Sequence, residues 1–237
     1  HSSIINSVQF CPYEEKEEYI VVTASWDNTA KIWNITTGEQ ITMTHEDYVN
    51  SAQFSHDGRY IVTASNDNTA RIWNTETGEQ IGPPLTHQKD VKSAQFSSNG
   101  KYIVTTSNDN SARIWNAETK EQVEISITHE DDVNSAQFSP NGFFLVTGSD
   151  DNTVRIWDTQ QLKERIKHDN FIRSARFSSD SKYIITASLD STAKIWDIQT
   201  GKQIGKTIKH NNRINSAWFS PDSVSKYIVT ASSDCTA

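Results

Sequence analysis

Short apolar runs alternate with polar turns along the whole chain. Within residues 45–81 a first run at 49–55 alternates in polarity, as a half-buried strand does. A second, Tyr-Ile-Val-Thr-Ala-Ser at 60–65, is apolar without clean alternation, which suits a strand covered on both faces. A third follows at 69–74, and a weaker, more polar fourth begins at 79–82. His56-Asp57-Gly58, Asn66-Asp67-Asn68 and Thr77-Gly78 separate them. These residue types tolerate the left-handed or bridging backbone that tight strand connections demand. The pattern predicts four short antiparallel strands and no long helix.

That unit repeats. Trp recurs at 33, 73, 115, 157 and 196, His at 1, 45, 87, 129, 168 and 210, and Asp at 27, 67, 109, 151, 190 and 234. Residues 45–81 and 87–123 are identical at 25 of 37 positions. A four-stranded sheet of ~40 residues cannot bury both faces alone, whereas radial stacking of such sheets buries them and leaves only short edges. The expected fold is therefore all-β, a propeller of four-stranded antiparallel blades.

The unit resembles the WD-repeat family over the whole chain. It carries His at its start, Ser-x-Asp-x-Thr in its middle, and Trp-Asp or Trp-Asn near its end. Two departures stand out. The family's Gly before His is Thr44, Thr86, Thr128, Lys167 and Lys209, and its closing Asp is Asn34, Asn74 and Asn116 before becoming Asp158 and Asp197. The resemblance implies blades at 1–43, 44–85, 86–127, 128–166 and 167–208, with a partial sixth at 209–237. The shortened sixth repeat leads us to expect a fragment of a longer chain, and the resembled family's commonest blade number favours a ring of seven over six.

The resemblance also implies a structural network in each blade. Its members are His45, Ser65, Asp67 and Trp73; His87, Ser107, Asp109 and Trp115; His129, Ser149, Asp151 and Trp157; and His168, Ser188, Asp190 and Trp196. In that scheme Asp orients His, His bonds Ser, and Ser accepts the indole N–H. Ser, His and Asp together also invite a hydrolase reading. Six equivalent copies are a construction rule instead, since a catalytic triad occurs once, in one cleft, beside an oxyanion hole. No catalytic residue is assigned.

Composition narrows the function. The net charge is −8, so the electrostatic footprint of a nucleic-acid binder is absent. Cys11 and Cys235 lack CxxC or Cys/His spacing, so neither a metal site nor a cofactor is indicated, and two cysteines suit a reducing, intracellular compartment such as the cytoplasm. No apolar run reaches the ~18 residues of a membrane span. Nothing points to a small-molecule substrate.

In the resembled family, partners dock on the end bearing the loops between second and third strands and between blades. Reading those positions repeat by repeat exposes an asymmetry. The third and fourth repeats offer polar or acidic residues, including Asp90 and Asp132. The others offer Ile4, Trp26, Tyr48, Phe171 and Leu189, with Arg173 and Arg213. Aromatics and Arg dominate binding hot spots, so these seven are the candidate partner-binding residues, expected on one arc of one face. The bland alternative is drift between duplicated repeats, with the apolar side chains packed on neighbouring loops. An insertion at 12–18 reads as a solvated acidic loop on the opposite face. The expected function is a non-catalytic protein–protein interaction scaffold within a larger complex. Alternatives are a sensor propeller attached to a signalling enzyme and, less favoured, an enzyme with a top-face pocket.

Overall fold

The computed structural model describes residues 1–12, 19–125, 127–158, 162–220 and 227–236, so most of the acidic insertion lies outside the described residues. Among the described residues every regular element is a strand, and neighbouring strands pair antiparallel. The first sheet is β1 (Ile5–Phe10), β2 (Ile20–Ser25), β3 (Thr29–Asn34) and β4 (Gln40–Thr44). The second is β5 (Val49–Phe54), β6 (Tyr60–Ser65), β7 (Thr69–Asn74) and β8 (Leu85–Thr86). The third is β9 (Val91–Phe96), β10 (Tyr102–Ser107), β11 (Ser111–Asn116) and β12 (Ile127–Thr128). The fourth is β13 (Val133–Phe138), β14 (Phe144–Ser149), β15 (Thr153–Asp158) and β16 (Leu162–Lys167). The fifth is β17 (Ile172–Phe177), β18 (Tyr183–Ser188), β19 (Thr192–Asp197) and β20 (Gln203–Lys209), and β21 (Ile214–Phe219) pairs with β22 (Ile228–Ser232) as a two-stranded sixth.

The strands group into two compact units, residues 1–109 with 113–126 and residues 110–112 with 127–237, and each is described by itself. Within each unit the core lies between sheets. In the first, Val22, Ala24, Ile32 and Met43 of one sheet pack on Val49, Ala52, Phe54 and Ile61 of the next. Val62, Ile72 and Leu85 then pack on Val91, Phe96 and Ile103. In the second unit, Val146, Val154 and Ile156 meet Ile172, Phe177 and Ile184, and Ile185 and Ala187 meet Ile214 and Ala217. This is why the middle strands read as continuous apolar runs: both faces are covered.

The turn after each second strand takes the left-handed backbone its sequence demands. Asn28, Asn68, Asn110 and Asn152 have φ of 68°, 67°, 66° and 66°, and Ser191 and Cys235 fill the same place at 67° and 68°. Asn is the residue besides Gly that visits this region most readily. In the turn after β7, Gly78 (φ 69°) also admits a neighbour: a Cβ there would lie 2.2 Å from Ile41 Cγ2 of the first sheet. The matching residue after β11 is Lys120, held at φ 65° despite its side chain.

The fourth strand of the second repeat departs from expectation. It does not run on from 79–82; only an isolated bridge forms at Gln80, and regular pairing resumes at Leu85–Thr86. Pro83 and Pro84 have no N–H to give the ladder, but the third repeat, with no proline there, is interrupted in the same way: an isolated bridge at Gln122 and regular pairing again at Ile127–Thr128.

Candidate interaction surface and its supporting networks

Beneath the candidate surface each of the first five repeats carries the same chain of hydrogen bonds. In the third, His87 Nδ1 lies 2.9 Å from Asp109 Oδ2 and His87 Nε2 lies 2.7 Å from Thr105 Oγ1, while Trp115 Nε1 donates to that Thr105 oxygen at 2.8 Å. His45, His129 and His168 repeat this with Thr63, Thr147 and Thr186, whose hydroxyls accept from Trp73, Trp157 and Trp196. His1 and Thr23 do so with Trp33.

The hydroxyl in this chain is Thr, not the expected Ser, and strand geometry gives the reason. Trp73 stands opposite Ile61 in the β6–β7 register. Thr63 is the diagonal neighbour on the same face; Ser65, four residues along, is about 13 Å away at the usual rise per residue. Ser65, Ser107, Ser149 and Ser188 do other work. Each accepts the N–H of the turn Asp and donates to a carbonyl in the loop before the first strand, as Ser65 does to Asp47 at 3.0 Å.

Proton placement follows from the partners. A carboxylate only accepts, so Nδ1 carries the hydrogen; Nε2 of the neutral ring then accepts from Thr, and Thr accepts from the indole. Burial pushes His87 and His168 below the ordinary value of 6.5, outweighing the pull of Asp109 and Asp190 in the other direction. Burial would raise Asp67 and Asp151, but hydrogen bonds from their His and from Thr69 or Thr153 hold both carboxyls well below the usual range. Arg71, Arg113 and Arg155 each add a contact at 3.1–3.2 Å to the same carboxylates. The groups are thus mutually satisfied inside the blade.

A second set of bonds joins neighbouring sheets, and the sequence reading missed it. In every first strand the register slips by one residue, as between Val49 and Ser51. The extra residue is Asn6, Asn50, Lys92, Asn134, Arg173 or Asn215. A bulge re-aims its side chain, and the Asn side chains use it to reach the next sheet. Asn50 Nδ2 donates to Val91 O at 2.8 Å, Asn134 to Ile172 O at 2.9 Å, and Asn6 to Val49 O at 3.4 Å. Serines and glutamines just beyond accept N–H groups of the same neighbour: Ser7 from Ala52, Gln9 from Phe54, Ser51 from Ala94, Gln137 from Phe177. First strands are sheet edges, with backbone groups no strand of their own sheet can pair. The signal was the recurrence of Asn-Ser-Ala-Gln-Phe, polar residues kept where burial alone asks for none.

Apart from Arg173, itself a bulge residue, the candidate binding residues lie on the two loops that close over these bulges. In the first unit Trp26 N donates to Ile4 O at 2.9 Å, and the Trp26 indole stacks on Tyr48 of the next repeat, centroids 5.4 Å apart and planes 16° off parallel. All three stay open to solvent, at 56% for Ile4, 39% for Trp26 and 44% for Tyr48. In the second unit Leu189 N donates to Phe171 O, bringing that pair together, and Arg213 lies over Ser233, Nε to Oγ 3.1 Å. Arg173, expected to offer its charge to a partner, turns back into the chain. Its Nη1 donates to Asn134 Oδ1 at 3.1 Å and lies 3.5 Å from Asp150.

A family model described as the IFT122 first beta-propeller matches residues 4–237. The chain belongs to that family. This IFT122-type propeller also shows 42% identity over 50 residues to a coronin-like protein of Saccharomyces cerevisiae, 21% of this chain and 8% of the relative's length. It is a WD-repeat β-propeller domain, and such families are typically non-catalytic scaffolds.

A groove of ≈ 700 Å³ lies between the second and third sheets of the IFT122-type propeller, lined by Tyr60, Ile81, Phe96, Lys101, Tyr102 and Lys120 among others. It borders the turns between first and second strands, the end opposite the candidate loops. Burial pushes the Lys120 amine down, and that amine donates to the Ala117 carbonyl. Among the described residues, no helix is long and apolar enough to cross a membrane, and no cluster of three or more metal-ligating side chains occurs.

Proposed function

We propose that this propeller is a non-catalytic scaffold that holds protein partners on its loop end, as a subunit of a larger intracellular, cytoplasmic assembly. One observation carries the choice of surface. Where the residue before the network Asp is Asn66 or Asp150, its side chain accepts from the bulge Asn at 2.7 or 2.5 Å. Trp26 and Leu189 cannot accept such a bond, and Trp26 leaves its indole half in water instead. A side chain that forgoes an internal hydrogen bond and stays exposed is placed for contact outside the chain. Ile4 and Tyr48 extend the Trp26 surface in the first unit. Phe171, Leu189 and Arg213 form a second surface in the other, with Arg173 supporting it from beneath.

The test compares Trp26→Asn and Tyr48→Ala with Asp90→Ala and Asp132→Ala in the full-length protein, against a partner recovered with it. Trp26→Asn gives Asn6 the acceptor its sisters have, so folding is retained. Loss of such an anchor should weaken binding by about 2 kcal/mol, roughly 30-fold in Kd. Weaker binding in the Asp variants, with Trp26→Asn and Tyr48→Ala unchanged, would place partners on the other repeats.

A further inference from the structure

We propose that the seam between the fifth and sixth sheets holds a small oxyanion, a phosphate or carboxylate group, on Arg176. In two other seams the first-strand Gln supplies an acceptor for a backbone N–H of the next sheet. Gln9 Oε1 takes Phe54 N–H at 2.8 Å and Gln137 Oε1 takes Phe177 N–H at 2.9 Å. The fifth repeat has Arg176 at this position, and the matching donor is Phe219. Phe219 N–H is turned toward β17. Ala217 N, two residues earlier on the same edge, donates to Ser174 Oγ, whereas Ser220 N points the other way, to Tyr227 O.

A guanidinium has five donors and no acceptor. At this seam two donors therefore occupy the places that those two seams give to a donor and an acceptor. Arg176 Nε is shut from solvent and has no hydrogen-bond partner among the described residues. Its guanidinium lies over the Trp218 ring, Cζ 4.5 Å from the centroid. That contact offsets part of the cost of shutting Nε from water, while the side chain as a whole stays partly exposed. Burial pushes Arg176 down to about 10, so the charge persists at neutral pH. Arg173, on the same strand, shows the contrast, because Asp150 meets its charge.

An oxyanion fits what is lacking. One oxygen can accept Phe219 N–H as the Gln oxygen does elsewhere, and the others can accept the guanidinium edge in the paired geometry that Arg gives carboxylates and phosphates. Trp218 is 46% exposed, so the pair is open to solvent on that side. The site is separate from the loop end, and its success or failure leaves partner binding there untouched.

The experiment measures thermal unfolding of the full-length protein and of Arg176→Gln in sodium phosphate, sodium acetate and sodium chloride at one ionic strength. Arg176→Gln restores the acceptor used in the sister seams, so it should fold and be at least as stable in chloride. Because phosphate stabilises folded proteins generally, the difference between the two proteins is the readout. The wild-type gain over chloride should exceed that of Arg176→Gln by roughly 3 °C once the anion stands ~10-fold above its Kd. An excess in phosphate alone assigns a phosphate group; an excess in acetate as well assigns a site that also takes carboxylates. Equal gains in both proteins with both anions overturn the proposal.

Discussion

Thr105 Oγ1 accepts the indole N–H of Trp115 at 2.8 Å, two residues short of the Ser that carries the family motif. Trp115→Ala should destabilise by about 3–5 kcal/mol, the range for a deleted buried aromatic. Thr105→Val and His87→Ala should each cost about 1–3 kcal/mol, from stranded polar partners, and Thr105→Ser less than Thr105→Val. Urea melts of the four variants rank them. Native stability in Thr105→Val would show that the hydroxyl is dispensable.

Acid should unfold the domain in two stages. His87 and His168 titrate below 6.5 in the folded state. The unfolded chain therefore takes up their protons first, so their contribution is full above about pH 6.5 and is lost as pH falls through the lower folded values. Asp67, Asp151 and Asp190 are held below 3.8 despite burial, by hydrogen bonds from His and Thr. Their contribution lasts until the pH drops below about 4. The urea midpoint should be flat from pH 8 to 7, fall below about 6.5 and fall again below about 4; a constant midpoint from pH 7 to 5 contradicts the neutral-histidine network.

Lys120 and Gly78 occupy matching turns and predict opposite signs. Lys120→Gly relieves a left-handed residue and should stabilise by up to about 1 kcal/mol, the unfolded chain's added freedom offsetting part of the gain. Gly78→Ala adds a Cβ at φ 69° against Ile41 and should cost about 1–3 kcal/mol. Differential scanning calorimetry reads both, and a destabilised Lys120→Gly would mean that the Lys120 side chain matters more than its backbone.

Asn50→Ala removes bonds to Asn66 and Val91 together. The expected cost is about 1–3 kcal/mol, with amide exchange rising along β9 in the neighbouring sheet. Exchange confined to β5 would show that the bulge Asn does not join the sheets.

The strands and turns were legible because each has a local cause: apolar runs where both faces are covered, and Asn where the backbone turns left-handed. The Ser-for-Thr error arose because Ser65 and Thr63 share a face of one strand, and only register says which the Trp73 indole reaches. The bulge at Asn50 was invisible for a related reason. Its bond to the next sheet runs to Val91, 41 positions later, and no pattern of polarity reports which edge a side chain leans over. Arg173 illustrates the limit at the candidate surface: its charge was read as available, but Asp150 is adjacent only after folding.

Because the apolar residues of each sheet are buried against the next sheet and not within their own, a repeat has no interior of its own. Within each unit, neighbouring repeats must therefore diverge in matched pairs. A bulkier side chain on one sheet is answered by space on the one it faces, as Gly78 answers Ile41, and the adjustment need travel no further. Within a unit, copies so similar can then acquire different outer loops while the seams reuse a few of the same backbone atoms.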